Sequence, residues 1–135
     1  MDRVFLDANV LFSAAWGDGG RMRALWEIRG VELITSEYAS LEARRNLRSD
    51  ARVRALDSLL RNVTVARVAE GAIDLPPEAA GLPEDDRPIL EAAIVLRATH
   101  VLSGNVHDFG SLFGRRVGGV LVLRPSTYVN VVRGS

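Results

Sequence analysis

An α/β/α sandwich with a mainly parallel central sheet is the fold the sequence predicts, and three observations lead to it. Short runs rich in Val, Ile and Leu recur along the chain, as expected of strands buried on both faces. Amphipathic stretches at helical spacing stand between them, so strand and helix alternate. Hydrophobic residues make up 47% of 135 residues, enough for a core without staples, and no repeat or low-complexity tract divides the chain. A single domain over residues 1–135 is therefore expected.

In chain order, Val4, Phe5 and Leu6 form the first strand. Asp7 then interrupts an apolar run that Val10, Leu11 and Phe12 resume. Taken alone, Asp7 reads as a helix N-cap, because its side chain can satisfy free N–H groups. Residues 21–29 (RMRALWEIR) predict an amphipathic helix and residues 31–35 (VELIT) a second strand. A pair of helices follows over 37–48 and 51–62, the first with an apolar stripe at Tyr38, Leu41 and Leu47. Residues 63–68 (VTVARV) give a third strand. The stretch 69–86 holds three of the five prolines and is the longest loop. A helix spans about 87 to 97, with Pro88 accommodated in its first turn. The remaining elements are a strand at 100–103 (HVLS), a short helix over 108–112, a strand at 119–123 (GVLVL) and a last helix after Pro125. Trp16 and Trp26 fit a core or an apolar groove, the core being preferred.

Composition removes several kinds of chemistry. There is no cysteine, hence no disulfide, thiol nucleophile or thiolate metal site. Every basic residue is arginine; a P-loop or a Schiff-base enzyme needs a lysine the chain lacks. The 17 basic and 17 acidic residues cancel, which argues against binding nucleic acid by bulk charge but leaves room for a local basic face. Aromatic content of 6% disfavours a wide base-stacking platform. No apolar run is long enough to span a membrane and the start lacks a signal-peptide pattern, so a soluble, cytoplasmic protein is expected.

In such folds ligands bind where strand carboxyl ends converge. The polar residues closing the apolar runs are therefore the ones to collect: Asp7 after VFL, and Ser103, Gly104 and Asn105 after HVL, with Asp85 and Asp86 at a helix start facing the same edge. Adding Glu42 and Asp108 gives the candidate set Asp7, Glu42, Asp86, Asn105 and Asp108. Each has an innocent reading as a cap, turn or solvated charge. Brought together they would repel one another, and a divalent ion would be required to complete the site. Hard oxygen ligands suit Mg²⁺ or Mn²⁺.

These stretches resemble a known family. FLDANVLFSA (5–14) looks like the opening of PIN-domain ribonucleases, SLEARRNL (40–47) is similar to their second motif, and DDRPILEAAIVLRATHVLSGNVHDF (85–109) looks like the third and fourth run together. The similarity runs from Arg3 to about Tyr128 and is nearest to small VapC-like toxins of toxin–antitoxin pairs. It implies a metal-dependent endoribonuclease leaving a 3′-hydroxyl and a 5′-phosphate, with metal held by Asp7, Glu42, Asp86 and Asn105, and Asp108 close by. It also implies an RNA substrate, a cognate antitoxin, a homodimer to which the apolar segment 10–16 contributes, and no membrane association. Asn9, Ser103, Arg44, Arg45 and Arg87 are the candidates for substrate contact, arginine because its guanidinium fork matches phosphate oxygens. His107, in the loop after Asn105, lies near enough to join them. The fourth motif departs from the family pattern: Asn105 supplies a carbonyl but no charge, and Asp108 follows three positions later.

Rival classes fare unevenly. A phospho-accepting receiver domain relies on a lysine that is absent, and a haloacid-type phosphatase needs an acid where Asn9 stands. A catalytically inactive PIN-fold scaffold binding RNA or protein remains the alternative, kept open by Asn105.

Overall fold

The computed structural model describes residues 1–17 and 20–134. Six strands form one sheet: β1 (Asp2–Leu6), β2 (Val31–Ser36), β3 (Thr64–Ala66), β4 (His100–Leu102), β5 (Arg116–Val117) and β6 (Val120–Leu123), in the order β3-β2-β1-β4-β6-β5. Every neighbouring pair is parallel except β5–β6. Six α-helices accompany it: α1 (Ala8–Trp16), α2 (Glu37–Asn46), α3 (Asp50–Leu60), α4 (Arg87–Val95), α5 (Val106–Phe109) and α6 (Pro125–Gly134). The result is the helix-flanked parallel sheet that the alternation of runs predicts.

Strand β1 is central because it is apolar throughout its second half. Val4, Phe5 and Leu6 are wholly buried, and Phe5 is in register with Ile34 on one side and Val101 on the other. From β1 the chain steps outward through β2 to β3, then α4 carries it back across to β4 on the opposite side of β1. The strand order thus reverses between β1 and β4, and the crevice at their carboxyl ends is where an open α/β sheet takes a ligand. Asp7 and Ser103 are the first residues past those two ends.

Two local expectations are corrected, and two elements beyond those listed from the sequence appear. The apolar run 8–16 is a helix, with Val10, Leu11, Ala14 and Ala15 buried at helical spacing, and Gly17 closes it at φ 88°. Residues 22–27 form a 3-10 helix in place of an α-helix; Arg23 Nε donates to the Ala14 carbonyl and Trp26 Nε1 to that of Leu59, tying this short segment to its neighbours. The buried face of α2 is Ala39, Ser40 and Ala43, continued by Leu47, whereas Leu41 is 49% exposed. Small residues let α1 approach α2, which a leucine stripe would prevent. Finally, Gly118 and Gly119, both at positive φ, make a two-residue turn pairing Val117 with Val120 and so create β5.

Trp16 is likewise not a core residue: it is 47% exposed, stacked on Phe12, with the Arg52 guanidinium over its ring. Trp26 is half-buried against the core. Among the described residues no helix is long and apolar enough to cross a membrane.

Candidate active site

A cleft of about 470 Å³ opens at the switch point, lined by Asp7, Asn9, Glu42, Asp85, Asp86 and Asn105, with Phe12, Asn46 and Ile89 among its other walls. Among the described residues four carboxylates line it and no basic side chain does. Four chain segments supply it: the β1–α1 junction, the middle of α2, the 3-10 turn Glu84–Asp86 that leads into α4, and the turn after β4.

Asp7 is only 3% exposed. It does cap α1, accepting from the Ala8 N–H at 2.6 Å, so the innocent reading of this residue is correct as far as it goes. Its other oxygen accepts from Ser103 Oγ at 2.8 Å and from Asn9 Nδ2 at 3.0 Å. Burial nevertheless raises its pKa, opposed by those hydrogen bonds and reinforced by Glu42. A cap needs neither full burial nor a second acid beside it.

Asp86 is half-buried and makes no cap bond to α4. Its pKa is pushed up to about 7, first by desolvation, then by its hydrogen bond with Asp108 and by the charges of Asp7, Asp108 and Asp85. Asp108 moves the other way, lowered by hydrogen bonds from His107, Asp86 and Asn105. The two carboxyls are thus shifted in opposite senses by one contact, Asp86 upward and Asp108 downward. Tyr38 bridges α2 to the acid turn, its hydroxyl donating to the Asp85 carbonyl at 2.9 Å. Burial and the surrounding carboxylates, Glu42 first, push that phenol up to about 12.

The other expected site residues are placed as follows. Asn105 spends both ends of its amide on Asp108: Oδ1 accepts from the Asp108 N–H at 3.1 Å, and Nδ2 donates to Asp108 Oδ2 at 2.7 Å. It caps α5 and clamps the acid. Ser103, expected to touch substrate, is fully buried beneath Asp7. Asn9 is a bracket, donating to Asp7 and Ser103 and accepting from the Gly104 N–H at 2.8 Å. Arg44 is drawn to Asp57 on α3, and Arg87 donates to the Leu82 carbonyl at 3.1 Å; neither they nor the exposed Arg45 line the cleft. His107 is exposed and bonded to Asp108. Sequence reasoning missed Asn46 and Phe12. Each stands four residues beyond a cleft residue on the same helix, Glu42 and Ala8, a spacing that could have flagged them.

Oxygen donors, surplus negative charge and the absence of a basic neighbour suit a hard dication. As placed, however, no three Asp, Glu or His side chains among the described residues stand ready to share one ion.

Residues 3–107 match a family described as the PIN domain. Two solved structures share the fold. A chain of VapBC2 from Rickettsia felis, bound to a DNA fragment from their promoter, superposes with TM-score 0.65 at 13% identity, covering 90% of this chain and 98% of that one. A chain of VapBC-1 from nontypeable Haemophilus influenzae gives TM-score 0.62 at 16% identity, covering 92% and 98%. No curated protein matches significantly.

Proposed function

The chain belongs to the PIN domain family, and from that premise we propose that it is a metal-dependent endoribonuclease, the toxin of a toxin–antitoxin pair. The observation that carries this reading is the acid cleft: four carboxylates at a sheet switch point with no cation among its walls. A structural cluster of that kind would cost stability with nothing to offset it. A site that takes Mg²⁺ or Mn²⁺ explains it.

Asp7, Glu42 and Asp86 would hold the ion, while Asn105 lines the same cleft with its amide bonded to Asp108. The chemistry such an ion supplies when bound is activation of a water nucleophile and neutralisation of charge on the phosphate oxygens. The protein's own part is orientation. Ser103, Asn9 and the Ala8 N–H fix the Asp7 carboxylate from three sides, and Asn105 fixes Asp108. The raised pKa of Asp86 lowers the charge of the cleft near neutral pH, and a cation held there would favour its ionised form.

The antitoxin follows from the likeness to the VapBC structures, in which the partner protein is part of the name. A homodimer is proposed on the same resemblance. A cytoplasmic location fits a chain with no membrane-spanning helix among its described residues.

Incubation of the protein with a structured RNA pool tests the reading. Cleavage is expected with Mn²⁺ and none with EDTA. Equal cleavage by wild type, Asp7→Asn and Asp86→Asn would expose a contaminating nuclease. The engaged amide of Asn105 favours one second reading, an inactive scaffold, which predicts RNA binding with no cleavage under any dication.

A further inference from the structure

We propose that the groove between the 3-10 helix Met22–Glu27 and α6 is the track along which the phosphate backbone of the RNA substrate runs away from the acid cleft, an inference that rests on the nuclease reading above. The groove measures about 620 Å³, and Arg21, Arg124 and Arg133 line it against one acid, Glu27. Among the described residues none of these three arginines forms an ion pair, whereas Arg3 and Arg44 are matched with Glu32 and Asp57. The Arg124 guanidinium lies over the Phe113 ring, 5.5 Å from its centroid. In a chain of zero net charge, with four carboxylates gathered in the cleft, this is a local positive surface beside a negative one.

Continuity with the cleft comes from Gly104, which lines the groove while its N–H donates to Asn9 Oδ1 in the cleft wall at 2.8 Å. A Cβ at this position would come within 3.3 Å of that same oxygen. At the divide between cleft and groove Gly104 adds no side chain of its own, so the Asn9 amide packed against it is the polar edge a strand would cross. Guanidinium forks then offer paired N–H donors to successive phosphates. Pro125 and Val129, both buried, give the groove an apolar floor suited to sugars. Of the expected arginines, Arg44 and Arg87 are engaged elsewhere and the exposed Arg45 lines neither cleft nor groove, which leaves this second set facing the track.

The test is equilibrium binding of a fluorescent single-stranded oligouridylate to the full chain in EDTA, across a range of NaCl concentrations. Replacing Arg21, Arg124 and Arg133 together by Gln is expected to weaken binding and to flatten the slope of log K against log salt by about 2, at roughly 0.7 per lost phosphate contact. Should the triple variant not fold, each single variant is expected to lose about 0.7 of slope. Arg29→Gln, Arg61→Gln and Arg97→Gln together, exposed residues just before the amino ends of β2, β3 and β4, serve as a charge-matched control that should leave the slope unchanged. A triple variant whose slope equals wild type, or a control that loses as much, overturns the track. A triple variant with wild-type slope but altered assembly mass assigns the groove to a protein partner and overturns it too. Cleavage by wild type is scored separately: RNA binding through the arginines without cleavage would retain the track and discard the nuclease.

Discussion

Asp7→Asn is expected to slow RNA hydrolysis by about three orders of magnitude, or ~4 kcal/mol of transition-state stabilisation, while the protein stays folded. The substitution separates the two roles the structure gives this residue. Asparagine caps a helix about as well as aspartate, and its Oδ1 can still accept from the Ala8 N–H, so α1 keeps its start; its Nδ2 replaces the oxygen that accepts from Ser103 and Asn9, so those two bonds are given up. What it cannot supply is charge at the most deeply buried oxygen pair of the cleft. Its neutral amide also removes the burial cost that raises the Asp7 pKa, so stability is expected to hold or rise. Initial rates in Mn²⁺, set beside thermal melts of both proteins, check this. A variant within tenfold of wild type would reduce Asp7 to a cap.

Asp86→Asn is expected to destroy activity and yet stabilise the metal-free protein at neutral and alkaline pH. In the folded state Asp86 titrates near 7, against 3.8 for the unfolded chain. The native state therefore binds the extra proton, and linkage makes stability fall as pH rises between those two values. Asp7 shifts in the same direction. Asp108, lowered by its partners, acts oppositely, but only as pH falls below the ordinary carboxylate range. Chemical denaturation in EDTA at pH 5 and pH 8 should show wild type losing stability across the interval and the variant losing much less. Mg²⁺ should restore wild type at pH 8 and leave the variant unchanged. Parallel pH profiles for the two proteins would mean that Asp86 carries no such strain. The trade is familiar in functional sites, where groups poised for a ligand are kept at a cost to the empty fold.

The sheet was legible because its central strands are bounded apolar runs, and β1, β2, β4 and β6 fall where VFL, VELIT, HVLS and GVLVL stand. Of helix α1 only the start was legible, through the Asp7 cap; its extent was masked because Ala-Asn-Val-Leu-Phe continues the apolar run of β1 and only the period separates the two. Strand β5 is two residues long and owes its existence to the Gly118–Gly119 turn, a signal that reads backward into the preceding Arg-Val. The acids of the site were legible as a set because polar residues at strand ends of a parallel sheet face one edge. Their individual roles were not. Whether Asn105 or Asp108 turns toward Asp86 is decided by a cap on a four-residue helix, and whether Arg44 is free is decided by Asp57 on the next one. Such choices depend on side-chain geometry between elements, which spacing along the chain does not encode. Ser103 shows the same limit: a hydroxyl at a strand end reads as a substrate contact until its complete burial makes it a support for Asp7.

The central claim is that acids far apart in the chain meet to hold a hard dication. Calorimetric titration of the full chain with Mn²⁺ tests it most directly. Wild type should bind saturably, and both Asp7→Asn and Asp86→Asn should bind far more weakly. Absence of saturable binding in wild type, or isotherms that coincide for all three proteins, would contradict it.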